Sequence, residues 1–297
     1  MRRWMAATLI MFMALASGCS AGAPTATPPV TTATDAPAAP SPSAAPLLCH
    51  AEALAPTGSA ATGAVDCAAD HRAQTVYAGE FAADLATAPA AGTGPLRAAY
   101  DDCDEQAAGY VGGDWRTARL RLGVVVPSAA RWAAGDRWYR CDLEEISLIG
   151  PDAKSVKRRG DLAGALEAAD SPLLLLCHRM EIDRVRKVIN VPAVPCAKAH
   201  NGEFVGVWKA PDKPYPSKTE DYVPFYNGCR EEIGRYVGVP LDNKLVLRAD
   251  VVPVAAQAPD WKVGDRGVRC YLYLNDRELT GSLKGKGDAG LPVRGRT

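Results

Sequence analysis

Eight cysteines and all four histidines of this chain fall into register with one another at a nearly constant offset. Cys49-His50 recurs as Cys177-His178 after 128 residues, Cys67 and His71 as Cys196 and His200 after 129, Cys103 as Cys229 after 126, and Cys141 as Cys270 after 129. Longer stretches follow the same frame. "YDDCDEQAAGYVG" (Tyr100 to Gly112) returns as "YNGCREEIGRYVG" (Tyr226 to Gly238), and "RWAAGDRWYRC" returns as "DWKVGDRGVRC". "VVP" ends at Pro127 and again at Pro253, and "DLAGAL" (Asp161 to Leu166) resembles "ELTGSL" (Glu278 to Leu283). Self-similarity at a fixed period marks a duplication, so the chain must fold as two similar units or as one body built from them. The pattern places the copies at residues 47–168 and 175–285, with a polar tail over 286–297.

Each copy reads as α+β. Leu96, Tyr100, Cys103, Ala107 and Val111 recur at helical spacing, as do Tyr226, Cys229, Ile233 and Val237, which predicts one amphipathic helix per copy with its cysteine on the apolar face. Period-2 alternation in "ARLRLGVVV", and less cleanly in "NKLVLRADVV", predicts strands. A Trp-x-x-Gly turn follows, then a strand on which Tyr139, Cys141 and Leu143 share a face, as Val268, Cys270 and Leu272 do. "QTVYAGEF" and "GEFVGVW" read as the first strand of each copy. The expected architecture is two tandem repeats, each one helix packed on a small antiparallel sheet and stapled by disulfides.

The cysteines admit three chemistries. Cys49, His50, Cys67 and His71 supply a Cys2His2 count for zinc or copper, repeated in the second copy, but adjacent Cys49 and His50 would both have to turn to one ion. A thiolate nucleophile needs a free cysteine, and no Cys-x-x-Cys, Gly-x-Ser-x-Gly or His-Glu-x-x-His is present. Disulfides suit a small unit with a modest core. A helix cysteine facing a sheet cysteine favours Cys103 with Cys141 and Cys229 with Cys270, leaving Cys49 with Cys67 and Cys177 with Cys196, out of three pairings possible per copy. No metal ligand, cofactor or catalytic residue is assigned. His71, His200, Trp132 and Trp261 stand as candidate binding residues. The carboxylates Asp101, Asp102, Asp104 and Glu105 become Asn227, Gly228, Arg230 and Glu231 in the second copy, so they read as a solvated helix face.

The N-terminus bounds the compartment. Arg2 and Arg3 precede the apolar run "MAATLIMFMALA", and "ASGC" ending at Cys19 resembles a bacterial lipobox. That resemblance implies a signal peptide over 1–18 and acylation of Cys19, hence a lipid-anchored protein on the extracytoplasmic face of the membrane. Residues 19–46, almost wholly Ala, Pro, Thr and Ser, read as an extended tether. Without residues 1–18 the 34 basic side chains become 34 − 2 = 32 against 34 acidic, which gives no field for capturing nucleic acid.

The pattern of a cysteine followed by histidine, a helix cysteine, a proline, a Trp-x-x-Gly turn and a final cysteine resembles the septum-formation domain family of actinobacterial envelope proteins, here in two copies. The resemblance implies a membrane-anchored or exported protein linked to cell division, and supplies no catalytic activity. The expected function is a non-enzymatic binding or scaffold module of the cell envelope, with wall polymer or a division protein as partner. A metal-binding envelope lipoprotein is the alternative.

Overall fold

The structure, a computed structural model, describes residues 48–54, 63–150, 152–184 and 188–293. The signal peptide, Cys19 and the tether lie outside the described residues. In the first half the order is β1 (Cys49–His50), β2 (Ala64–Val65), β3 (Ala73–Glu80), α1 (Gly94–Val111), β4 (Leu120–Val125), α2 (Ala129–Ala133) and β5 (Trp138–Glu145). In the second it is β6 (Cys177–His178), β7 (Glu181–Ile182), β8 (Val188–Asn190), β9 (Ala193–Val194), β10 (Gly202–Lys209), α3 (Val223–Val237), β11 (Asp250–Ala255), α4 (Ala258–Val263), β12 (Gly267–Tyr273) and α5 (Gly287–Gly290). The result is a mixed helix-and-strand fold with two antiparallel five-stranded sheets, ordered β2-β1-β3-β5-β4 and β11-β12-β10-β6-β9, plus a β7-β8 hairpin. Each long central pairing carries one register shift, between Thr75 and Tyr77 in β3 and between Phe204 and Gly206 in β10.

Both long helices form for the same reasons. A proline sits in the first turn, where its missing N–H costs nothing, and a left-handed glycine, Gly112 or Gly238, ends the helix with its N–H on the carbonyl four residues back. Leu96, Ala99, Tyr100, Cys103, Ala107 and Val111 make the buried stripe of α1. It lies on the sheet face carrying Leu122, Val124, Cys141 and Leu143. In α3 the stripe is Phe225, Cys229, Ile233 and Val237, against Val268, Cys270 and Leu272.

Four disulfides close this arrangement: Cys49–Cys67, Cys103–Cys141, Cys177–Cys196 and Cys229–Cys270. Each helix is tied to the strand beneath it that lies between two long neighbours, and each short first strand to the turn before the long one.

Several local expectations are corrected. Tyr226 is 40% exposed rather than buried; the aromatic core contact of α3 comes from its neighbour Phe225, which stands where Ala99 does in α1 and packs on Trp208, itself against Gly228. Residues Leu245–Leu247 form a 3-10 turn, so the strand begins only at Asp250. "QTVYAGEF" and "GEFVGVW" are not the first strands, since β1 and β6 pair ahead of them. The pairing of "DLAGAL" with "ELTGSL" is out of register. His71 exchanges backbone hydrogen bonds with Arg158 and His200 with Leu279, so Leu162 corresponds to Leu283, and both are buried. The second core also continues past residue 285, to a fully buried Leu291 whose carbonyl accepts from Arg248.

The described residues of the two sheets belong to one compact unit. Val263 of α4 lies in the first core, and Ile149 packs on a third apolar cluster formed by Leu175, Met180, Phe204, Val252 and Tyr271 of the second half. The connection is stitched rather than loose: Arg119 N donates to Leu173 O and Leu175 N to Thr117 O.

Loop-closure entropy assigns about 4 kcal/mol to each helix–sheet bridge and about 3 kcal/mol to each short bridge. The Cys103→Ala/Cys141→Ala variant is therefore expected to lose about 4 kcal/mol in urea unfolding, and Cys49→Ala/Cys67→Ala somewhat less. Equal midpoints for wild type and the helix–sheet variant would refute the assignment.

Candidate functional site

The histidines that opened the sequence argument are structural in position. His71 is 1% exposed, and its Nδ1 donates to Ala69 O at 2.9 Å, since the carbonyl can only accept. His200 is fully buried, with Nδ1 on Lys198 O at 2.8 Å and Nε2 3.4 Å from Glu203 Oε1. Both sit in turns after a short strand and pin the segment carrying Leu162 or Leu283 to the sheet. Three residues on from each, Gln74 and Glu203 do the same job: Gln74 binds Tyr110 Oη and Leu162 N, and Glu203 binds Tyr236 Oη and Leu283 N.

Cys177, His200 and Glu203 bring ligand-type atoms within 4.8 Å of one another. The Cys177 sulfur is spent in the bridge to Cys196, and Glu203 already accepts from Tyr236, Ser282 and Leu283. A disulfide sulfur is not a thiolate ligand, so the oxidised chain offers only His200 and an occupied carboxylate there.

The first half carries a polar chain on the sheet face turned away from α1. His50 Nε2 donates to Thr75 Oγ1 at 2.9 Å, and Thr75 Oγ1 donates to Asp142 Oδ1 at 2.8 Å. Arg140 pairs with the same carboxylate. Burial lowers the His50 pKa, Arg140 and His71 reinforcing it, although Asp142 opposes. In the second half Phe204 and Tyr271 stand where Thr75 and Asp142 do, and burial lowers His178 to about 4. Comparing the copies hides this chain, because only its histidine and arginine repeat.

Trp132 and Trp261 plug the core, at 5% and 2% exposure. Each is covered by an arginine, Arg137 at 4.3 Å or Arg266 at 4.5 Å, which also donates to that tryptophan's carbonyl. The repeated Gly-Asp-Arg after the tryptophan makes this turn in both halves. Its aspartate has different partners: Asp136 pairs locally with Arg131, whereas Asp265 reaches into the other half.

That reach organises the junction between the halves. Arg116, held in a 3-10 turn that Asp114 caps, donates from Nε to Asp265 Oδ1 at 2.8 Å and from Nη1 to Asp104 Oδ1 at 2.6 Å, and stacks on Trp115. Burial works against its charge, but Asp265, Tyr100 and Asp104 together hold its pKa above the ordinary value. Arg269, also buried, donates to the carbonyls of Arg116 and Leu120. At the rim Asp212 accepts both Nη groups of Arg97 and one of Arg266. A side chain on Gly264 would meet Tyr100 at 3.0 Å, so the absence of one lets α4 approach α1.

Among the described residues, open clefts lie along this junction and beside it. One of about 490 Å³ is lined by Asp101, Asp104, Glu105 and Asp114 opposite Lys209 and Arg266. One of about 590 Å³ is lined by Arg97, Lys213, Tyr215, Lys262 and Arg266. One of about 420 Å³ lies between Tyr215, Phe225, Trp261 and the prolines around them. The acidic run thus has Asp104 in the junction itself, not merely on a solvated face. The arginines of the junction escaped sequence reading; the signal available was the repeated Gly-Asp-Arg with a tryptophan-arginine pair in one copy only.

Fold and junction together define a disulfide-stapled α/β module whose two sheets work as one body with clefts between them. This chain belongs to the septum formation family, whose model matches residues 48–270, and an envelope-related role fits that membership. No curated protein and no solved structure matches it. Among the described residues no helix is long and apolar enough to cross a membrane.

Arg116→Ala would leave Asp265 buried beside an empty site, and we expect a loss of about 3–5 kcal/mol by urea unfolding. A double-mutant cycle with Asp265→Ala should recover part of it; strictly additive losses would argue against the pair. Asp260 supplies a pH test. Burial, with Asp265 and Glu144, raises it to about 6 against the pull of Arg121 and Arg269. A carboxyl with a raised folded pKa favours the fold fully below its unfolded value near 4, and the contribution is lost as pH rises through 6. Relative to Asp260→Asn, wild type should therefore weaken between pH 4 and pH 6; parallel curves would count against it.

Proposed function

We propose that this chain is a non-enzymatic binding or scaffold module of the cell envelope, lipid-anchored through Cys19 on the extracytoplasmic face and working at the division septum. Family membership is the observation that carries the reading. Four disulfides support an oxidising compartment, where such bridges persist. The lipobox-like "ASGC" and the Pro-rich stretch behind it support an anchor and a spacer. The common period of cysteines and histidines, with the last cysteine of each sheet on the strand flanked by its two long neighbours, supports an origin by tandem duplication. The duplicated units act together, because the junction consumes side chains of both. The binding face is the set of clefts along that junction, and wall polymer or a division protein is its partner.

In cells, a tagged chain should concentrate at midcell and partition with membranes. Cys19→Ser should move it to the soluble fraction without changing its thermal midpoint. Uniform distribution around the cell would remove the septal part of the reading, and unchanged membrane partitioning of the Cys19→Ser variant would remove the anchor.

A further inference from the structure

The cleft of about 590 Å³ differs from its neighbours in charge. Arg97, Lys213, Lys262 and Arg266 line it against a single carboxylate, Asp212. That carboxylate is spent: Arg97 grips both its oxygens, and Arg266 takes Oδ1 at 2.7 Å, so the two guanidiniums hold its pKa far below the usual carboxylate range. Asp101 adds a weaker attraction on Arg97 from the next helical turn. Lys213 and Lys262 form no ion pair among the described residues. A surface that leaves cations uncompensated around a concavity attracts anions.

The cleft also has a fixed aromatic wall. Tyr215 is 37% exposed and stands edge-on to Trp261 at 5.9 Å. The segment bearing Lys213 and Tyr215 is "PDKPYP", in which Pro211, Pro214 and Pro216 restrict the backbone, and the Trp261 indole N–H holds Lys213 O at 2.8 Å. Charge and ring are therefore preorganised, which reduces the entropy lost on binding. The same ridge borders the cleft of about 420 Å³ on its other side, where Lys218 supplies a further cation among Glu220 and Asp221. A ligand longer than one unit could cross the ridge.

We infer that this groove binds a polyanionic glycan, its phosphate or carboxylate groups at Lys213 and Lys262 and a sugar face on Tyr215. The inference rests on the envelope-module reading and names the chemistry of its ligand. A sugar chain suits an open groove with an exposed ring among its cations better than a compact headgroup does, since the ring face of Tyr215 offers contact to sugar rings between the charges.

The test uses the purified full chain with dextran phosphate, neutral dextran of equal length and phosphatidylglycerol vesicles as probes. Dextran phosphate should bind with an affinity that falls as salt rises, and neutral dextran should not bind. Lys213→Ala/Lys262→Ala should weaken binding at least tenfold and Tyr215→Ala about threefold or more, at unchanged thermal midpoints. Lys284→Ala/Lys286→Ala, exposed lysines that do not line the groove, should bind like wild type. Equal binding by the Lys213/Lys262 variant, equal loss in the Lys284/Lys286 control, binding of neutral dextran, or a preference for vesicles would each overturn the inference. Septal localisation of the Lys213/Lys262 variant is read separately: if it persists while dextran phosphate fails to bind wild type, the glycan inference falls and the envelope reading stands.

Discussion

The Arg116–Asp265 pair is the contact on which the shape of the molecule depends. Both side chains are nearly out of reach of water, and a charge so placed is tolerable only while its partner is there. Each partner belongs to a different half. Separation would leave Arg116 with the partly exposed Asp104 and Asp114 and strand Asp265 against a surface built to hide it, while Val263 left the first core and Arg269 lost both of its carbonyls. A sequence whose cysteines and histidines recur at one offset invites the picture of two beads on a string, each able to find its own ligand. The junction replaces it with one body and places the open clefts along the seam.

What the sequence disclosed and what it withheld divide along one line. Features that serve each unit separately are repeated, and so were legible: the helix stripe with its cysteine, the strand with its facing cysteine, the tryptophan turn. Features that join the units need only occur once in each partner, so the repeat frame hides them. Trp115 and Arg116 follow Gly112 in the first copy; Val239, Pro240 and Leu241 follow Gly238 in the second, and Leu241 is 63% exposed. The same holds inside the sheets, where the Thr75–Asp142 link gives way to Phe204 and Tyr271. The false register between "DLAGAL" and "ELTGSL" arose because those letters lie outside the regular elements, where only the backbone bonds of His71 and His200 define equivalence.

Those histidines show why a residue pair that looks like chemistry can be architecture. An imidazole that donates from Nδ1 to the carbonyl two residues back closes its own turn, and the backbone on either side is then free to pair with a distant segment. The charged residues with unspent capacity lie elsewhere, on the rims of the junction, where function is better sought than in the buried Cys/His stations.

The connectivity of the four bridges has a consequence for how the chain is made. From Cys49 onward the cysteines are joined as consecutive pairs, and no loop encloses or crosses another. A chain threaded N-terminus first into an oxidising space presents its thiols two at a time in their final pairs. The earliest partner to emerge is always the right one, so oxidation in order of arrival reaches the native set without shuffling, and the first half can be covalently complete before Cys177 appears.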